Sequence, residues 1–334
     1  LAYCYVHVAV WGFLRIILLF MAFNFFFSHD FFYKNVLKFW SLIMFIVLID
    51  VFIESFFGKN IFGFTGKDYG YGERIVSFFK DEPIVGSYLT GFFLLIIGFL
   101  LKKIQSKNFF LIYVIMFFFM LAITLTGERA NTIKAVIGLS LFLLLIDINS
   151  IKKKFFLTST TIILVLFYIF NPFTGENFLK HRYYHDIINS LNKDNIYLIK
   201  YKYGLEIFKE NKLFGVGNKN YRIEACKLEN IKKYNNLCSA HPHQIYFEFL
   251  SEHGIIGTFI ILFILFKLVF SKILTTYNSS NYIKLGSLIY ILLIFIPLLP
   301  SGAFFSNYLL TIFAINLSIF YALDKKLNIY RNKS

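Results

Sequence analysis

The chain has 334 residues, 57% of them hydrophobic and 21% aromatic, with 45 phenylalanines and a formal charge of +15. That leaves too few polar side chains to coat a soluble globule, and apolar runs near the roughly 20 residues of a membrane-crossing helix, without the alternation of a barrel strand, predict an all-α polytopic membrane protein. The positive charge does not point to nucleic acid, because the lysines fall mostly in short connections between apolar runs, where the positive-inside rule expects them.

Residue 1 is leucine and an apolar run starts at once, with no basic stretch or small-residue cleavage site, so the sequence reads as lacking some N-terminal helices. Apolar segments lie near 1–27, 36–57, 84–101, 108–126, 132–148, 155–171, 247–270, 283–299 and 303–322, about nine spans by length and hydropathy. They divide the chain into N-terminal membrane helices (1–171), one large polar loop (172–246), and C-terminal membrane helices with a tail (247–334). A single alternating topology places Lys102, Lys103, Lys107, Lys152, Lys153, Lys154, Lys272, Lys284, Lys325, Lys326, Arg331 and Lys333 on the cytoplasmic side. Residues 58–83, 127–131, 171–246 and 300–302 are then outside.

Three charges stand inside the first spans. Asp50 and Glu54 are one helical turn apart, and a pairing with Arg15 from the neighbouring span would account for all three. Arg74 lies in the first outer segment, Glu73-Arg74-Ile75-Val76, either as a cavity-lining cation or as a solvated loop arginine. The turn Thr126-Gly127-Glu128-Arg129-Ala130-Asn131 joins two apolar spans with almost no loop, leaving Arg129 at headgroup level. There it either snorkels to water or holds its planar fork over a cavity, where it can grip a diphosphate bidentately.

The large loop from Pro172 to Gln244 carries twelve Lys or Arg against seven Asp or Glu, a net of +5. Long loops translocate regardless of charge, and a basic vestibule would attract an anionic, lipid-linked substrate. Arg182 and Arg222 are further phosphate-binding candidates, or balance nearby carboxylates. Tyr203, Leu205, Ile207 and Phe208 predict a short amphipathic helix stopped by the glycine turn Leu213-Phe214-Gly215-Val216-Gly217-Asn218, whose two glycines alone are a weak phosphate signal. Cys226 and Cys238 both face the oxidising side, so the expectation is a disulfide closing a small loop, worth about 3 kcal/mol by chain entropy, with two unpaired thiols as the alternative.

The loop ends in Ala240-His241-Pro242-His243-Gln244. With Pro242 as the first helical residue, His243 falls in the first turn, where the helix dipole disfavours imidazolium and keeps a proton acceptor near pH 7. His241 is then outside the helix, orienting or binding the acceptor. Two histidines in this spacing do not share a helix face, and no third ligand has recognised spacing, so no metal site is expected. Glu248 is placed to orient a histidine or bind sugar hydroxyls, Glu252 reads as a solvated carboxylate, and His253 as a helix-end cap.

Arg129 in Thr-Gly-Glu-Arg-Ala, the surface helix before Phe214-Gly215-Val216-Gly217, and His243-Gln244 followed after nine residues by Gly254-Ile255-Ile256-Gly257-Thr258 together resemble the O-antigen ligase and O-antigen polymerase superfamily. The resemblance covers roughly Arg74 to the C-terminus. It implies a GT-C-like helix bundle with one large periplasmic loop, in the bacterial inner membrane. It implies a metal-independent, inverting glycosyltransferase, without cofactor, moving a glycan from undecaprenyl diphosphate to an acceptor hydroxyl such as lipid A-core. O-antigen polymerisation is the alternative within the family, and a lipid-linked glycan flippase the alternative outside it. By position His243 matches the family's essential histidine and Arg129 its arginine, with Arg74 matching an earlier one; Arg182, Arg222, His241, Gln244 and Glu248 complete the expected substrate contacts. The family's arginine before a tryptophan in the surface helix is missing from Tyr197-Leu198-Ile199-Lys200-Tyr201-Lys202-Tyr203, leaving Lys200, Lys202, Arg182 or Arg222 as substitutes. About three N-terminal spans are also lacking against that architecture.

Overall fold

The computed structural model describes residues 2–69, 73–80, 82–104, 109–146, 151–170, 178–185, 188, 196–234, 238–276, 281–324 and 326–330. Leu1, Lys107, Lys325, Arg331 and Lys333, and the start of the large loop at 171–177, lie outside them. Among the described residues all regular structure is helical, joined by turns and loops, with no strand. In chain order the helices are α1 (Ala2–Ser28), α2 (Asp30–Phe57), α3 (Val85–Ile104), α4 (Phe109–Leu125), α5 (Arg129–Leu145), α6 (Ile151–Ile169), α7 (Ile196–Glu210), α8 (Tyr221–Ala225), α9 (Leu228–Tyr234), α10 (Ile245–Leu265), α11 (Ser271–Thr276), α12 (Tyr282–Ile294) and α13 (Asn307–Ala322).

The apolar segments form helices, and among the described residues three stretches are long and apolar enough to cross a membrane by themselves: Asp30–Phe57, Val85–Lys103 and Ile245–Ile273. Leu14–Ser28, Phe110–Leu125, Tyr282–Ile294 and Asn307–Ala322 are apolar but shorter. In α5, Arg129, Asn131, Lys134 and Ser140 dilute the apolar run.

The chain forms two compact units. The first comprises residues 23–187, 279–293 and 316–334. Its centre is α3, whose Leu89, Phe92, Phe93, Leu94, Leu95, Ile96 and Ile97 are all buried. A Cβ on Gly98 would strike the Tyr282 carbonyl of α12, and one on Gly286 would strike the Leu94 carbonyl of α3. Both helices thus meet backbone to backbone, the way small residues bring membrane helices together. In the same unit the acids of α2 hold the loop that follows it. Asp50 accepts from the Ile61 N–H at 2.9 Å and the Ser77 hydroxyl at 2.5 Å, and Glu54 from the Val76 and Ser77 N–H groups at 3.1 and 2.7 Å. Arg15 instead donates to Asn307 at 2.9 Å, so the expected Arg15 pairing with Asp50 and Glu54 is not formed. Buried carboxylates need donors, and backbone N–H groups of the adjoining loop supply them.

The second unit comprises residues 1–22, 188–278 and 294–315. It is built on α10, which breaks at Gly254 (φ 61°, ψ −168°). The turn from Lys212 to Gly217 docks into that break: the Ile255 and Ile256 N–H groups donate to the carbonyls of Lys212 and Leu213, and Val216 and Gly217 donate back to Ser251 and Glu252. A Cβ on Gly215 would hit the Glu252 backbone, and one on Gly254 the Leu213 backbone. Both glycines also have positive φ, so the glycine turn and the later Gly-Ile-Ile-Gly are two halves of one lock. Helix α7 lies against the start of α10, where Gly204 allows contact with Pro242 and Phe247. Tyr203, Ile207, Tyr221 and Ala225 close a small core beneath it. Cys226 and Cys238 form the expected disulfide.

Candidate active site

In the second unit, α10 begins later than expected. Gln244 is its N-cap: extended in backbone and buried, it accepts through Oε1 from the N–H groups of Tyr246 (2.8 Å) and Phe247 (3.0 Å). This fills the role of a capping side chain. Pro242 precedes the helix, and His243 adopts a left-handed backbone (φ 59°) outside its first turn. The loop 298–305 fixes this geometry. Ser301 N–H donates to the His243 carbonyl at 2.8 Å, and the Phe304 N–H donates to the buried Glu248 carboxylate at 2.9 Å. Glu248 thereby anchors the loop 298–305. Glu252, expected in water, is buried and accepts from the Lys219 and Tyr221 N–H groups.

The two histidines are stacked obliquely, ring centroids 4.1 Å apart. Tyr197 stands edge-on to His243 at 5.7 Å, and Lys200 Nζ lies 2.9 Å from His243 Nε2. Burial, then the neighbouring His241 and Lys200, pushes the His243 pKa down to about 3. Burial, with Lys200 opposing protonation and a hydrogen bond to the Ser301 backbone favouring it, takes His241 down to about 4. The expectation of neutral imidazole stands, but its cause is desolvation and a nearby cation, with no helix turn around His243. His253 packs on Phe305 at the end of the first half of α10, just before the break at Gly254. Arg222 is exposed beside the disulfide, lining a recess with Ser239 and Ala240. Gly215 and Gly217 spend their N–H groups on Asn211 and Glu252, which removes them as a phosphate cradle.

In the first unit, three predicted arginines converge on the turn at 126–131. Glu128 accepts from the first N–H groups of α3, Gly86 at 2.7 Å and Ser87 at 3.1 Å, and from Asn131 at 2.6 Å. Burial raises its pKa to about 7, against the lowering pull of those donors and of Arg74. Arg182 donates through Nε to the Gly127 carbonyl at 3.2 Å. Tyr183 bonds Thr132 and the Thr124 carbonyl, and burial drives its pKa up to about 12, with Glu128 raising it further and Arg182 and Arg129 lowering it. Arg129 begins α5, and among the described residues its guanidinium makes no hydrogen bond or ion pair. Arg74 lines a cavity of about 570 Å³ together with Lys67, Glu73, Phe56, Phe57 and Phe178.

Sequence reasoning passed over Glu128 and Ser301, and reached Lys200 only as a stand-in for a missing arginine. An acid next to Arg129 carried no spacing signal toward Gly86, 42 positions away. Among the described residues no group of three His, Cys, Asp or Glu is placed to hold a metal ion.

The described residues combine apolar helical spans, an arginine-bearing turn and a half-buried histidine pair, and belong to a membrane protein. Residues 111–262, a little under half of the chain, match the family model described as O-antigen ligase. The match contains Arg129, Arg182, Lys200, both histidines and the glycine lock. No curated protein and no solved structure gives a match.

Proposed function

We propose that the protein transfers a glycan, an O-antigen or similar surface polysaccharide, from undecaprenyl diphosphate to an acceptor hydroxyl such as that of lipid A-core, at the periplasmic face of the inner membrane. The observation that carries this reading is His243, an imidazole kept neutral by burial and tethered by Ser301, Tyr197 and Lys200. A neutral imidazole accepts the acceptor hydroxyl's proton as that oxygen attacks the anomeric carbon. In the other unit, Arg129, with Arg74 and Arg182 around the same turn, supplies the diphosphate-binding cations of this reading, and among the described residues its guanidinium makes no hydrogen bond or ion pair that would compete with a bidentate grip. The scheme needs no metal ion. Direct displacement inverts the anomeric centre, so NMR of the product should show inversion, and retention would exclude the scheme.

Deletion in the native host followed by glycolipid gel analysis tests the acceptor. Long chains left on the carrier are expected. Single-repeat caps would reassign the enzyme as a polymerase, and purified protein that moves lipid-linked glycan across vesicles without transferring it would make it a flippase.

A further inference from the structure

Neutral imidazole has one lone pair, on the ring nitrogen that bears no hydrogen. Lysine ammonium has three donors and no acceptor, so Nζ at 2.9 Å from Nε2 occupies that lone pair in His243. The ring then carries its hydrogen on Nδ1 and has nothing left with which to receive a proton from a hydroxyl. The same contact that holds the histidine therefore blocks it.

We infer that Lys200 masks His243 until a diphosphate anion draws the ammonium away, so that donor binding switches on the base. Three features of the site support this exchange. Lys200 and Tyr197 are three residues apart on α7 and meet the same ring, so Tyr197 keeps the imidazole placed when the lysine leaves. The lysine's four-carbon stem swings freely, where a rigid guanidinium would not. Lys200 is half-buried, and burial lowers its pKa; a desolvated ammonium gains far more from an anion than from a neutral ring nitrogen.

The inference rests on the transfer reading above and orders its steps. With Lys200 on the diphosphate, the acceptor O–H proton passes to Nε2 while the oxygen forms its bond to the anomeric carbon. The bond from that carbon to the diphosphate oxygen breaks, and its electron pair leaves on the diphosphate, balanced by Lys200. His243 returns the proton to the released diphosphate. Acceptor activation thus waits for donor, and donor binds first.

The test compares wild type, Lys200→Met, Lys200→Arg and His243→Ala, each checked for an unchanged thermal midpoint in detergent. The first readout is the rate at which diethyl pyrocarbonate modifies His243 without donor, followed by peptide mass spectrometry. Lys200→Met should react about tenfold faster or more, the factor that losing one charge-assisted hydrogen bond corresponds to. Added inorganic pyrophosphate should speed modification of the wild type and leave Lys200→Met unchanged. The second readout is transfer: Lys200→Met should raise the KM for donor and lower kcat, with partial rescue by Lys200→Arg. Equal modification rates in wild type and Lys200→Met, no acceleration by pyrophosphate, or wild-type transfer by Lys200→Met would each overturn the mask. If any of these occurs while His243→Ala is inactive, only the mask fails; full transfer by His243→Ala overturns the underlying reading.

Discussion

At His243, expectation and structure agree on the charge state and differ on its cause. A histidine in a helix's first turn would owe its neutrality to the dipole, which salt screens; one buried beside Lys200 owes it to desolvation, which salt hardly touches. His243→Ala should abolish transfer at matched expression, because it removes the proton acceptor, whereas His241→Ala, which leaves that acceptor in place, should only reduce it. Equal loss at both positions would shift the role to the pair. The same burial has a stability consequence. Unfolded histidine takes a proton as pH falls through about 6.5, but folded His241 and His243 wait until about 4 and 3. The unfolded state thus binds more protons within that window, so their contribution is whole above pH 6.5 and is lost as pH falls. Thermal midpoints measured from pH 7 to pH 5 should drop, and drop less in the double His241→Ala, His243→Ala variant. Arg129→Ala should weaken use of the diphosphate donor, and Arg129→Lys should recover part of it, since an ammonium lacks the bidentate fork. A KM for donor unchanged in both would remove Arg129 from the site.

Among the elements, hydropathy and period were enough to find the helices, because a long apolar run has few other ways to satisfy its backbone in a membrane. The cap of α10 was not legible, because proline at N1 and glutamine at the N-cap compete for the same start, and loop 298–305, distant in sequence, decides between them. Glu252 was misread because its partners, the N–H groups of Lys219 and Tyr221, are 33 and 31 residues away. The glycine turn and the Gly-Ile-Ile-Gly run were both visible as motifs, but their joining is a tertiary contact between segments some 40 residues apart. That joining is testable. Gly254→Ala and Gly215→Ala each combine a left-handed backbone with a backbone collision, so each should cost more than the ~1 kcal/mol of strain alone. Limited proteolysis should show faster cleavage near residues 212–218, and a wild-type pattern would contradict the lock. Glu128→Ala should cost about 1–2 kcal/mol by stripping the N-terminus of α3 of its acceptor, while Glu128→Gln, still an acceptor, should cost less.

For the whole molecule, the decisive question is which side of the membrane holds the histidines. Lysines gather at the C-terminal end of α3 (Lys102 and Lys103), in α11 (Lys272) and at the start of α12 (Lys284), and the positive-inside rule places those ends in the cytoplasm. On that rule, crossing α10 from Lys272 would bring Gln244, the histidines and the Cys226–Cys238 disulfide to the opposite face, and an oxidising compartment there would keep such a bond closed. The proposed transfer requires that same face, so the orientation is a test of the proposal. Leu228 is exposed two residues past Cys226, and Lys103 is exposed at the other end of the argument. With Cys4 changed to Ser and the native disulfide left intact, a single cysteine at either position reports its side. An impermeant maleimide should label Leu228→Cys in cells whose outer membrane alone is permeabilised, and Lys103→Cys only after the inner membrane is opened. The reverse pattern would put His243 in the cytoplasm, where the bond between Cys226 and Cys238 would meet reducing thiols, and the periplasmic transfer reaction would have to be abandoned.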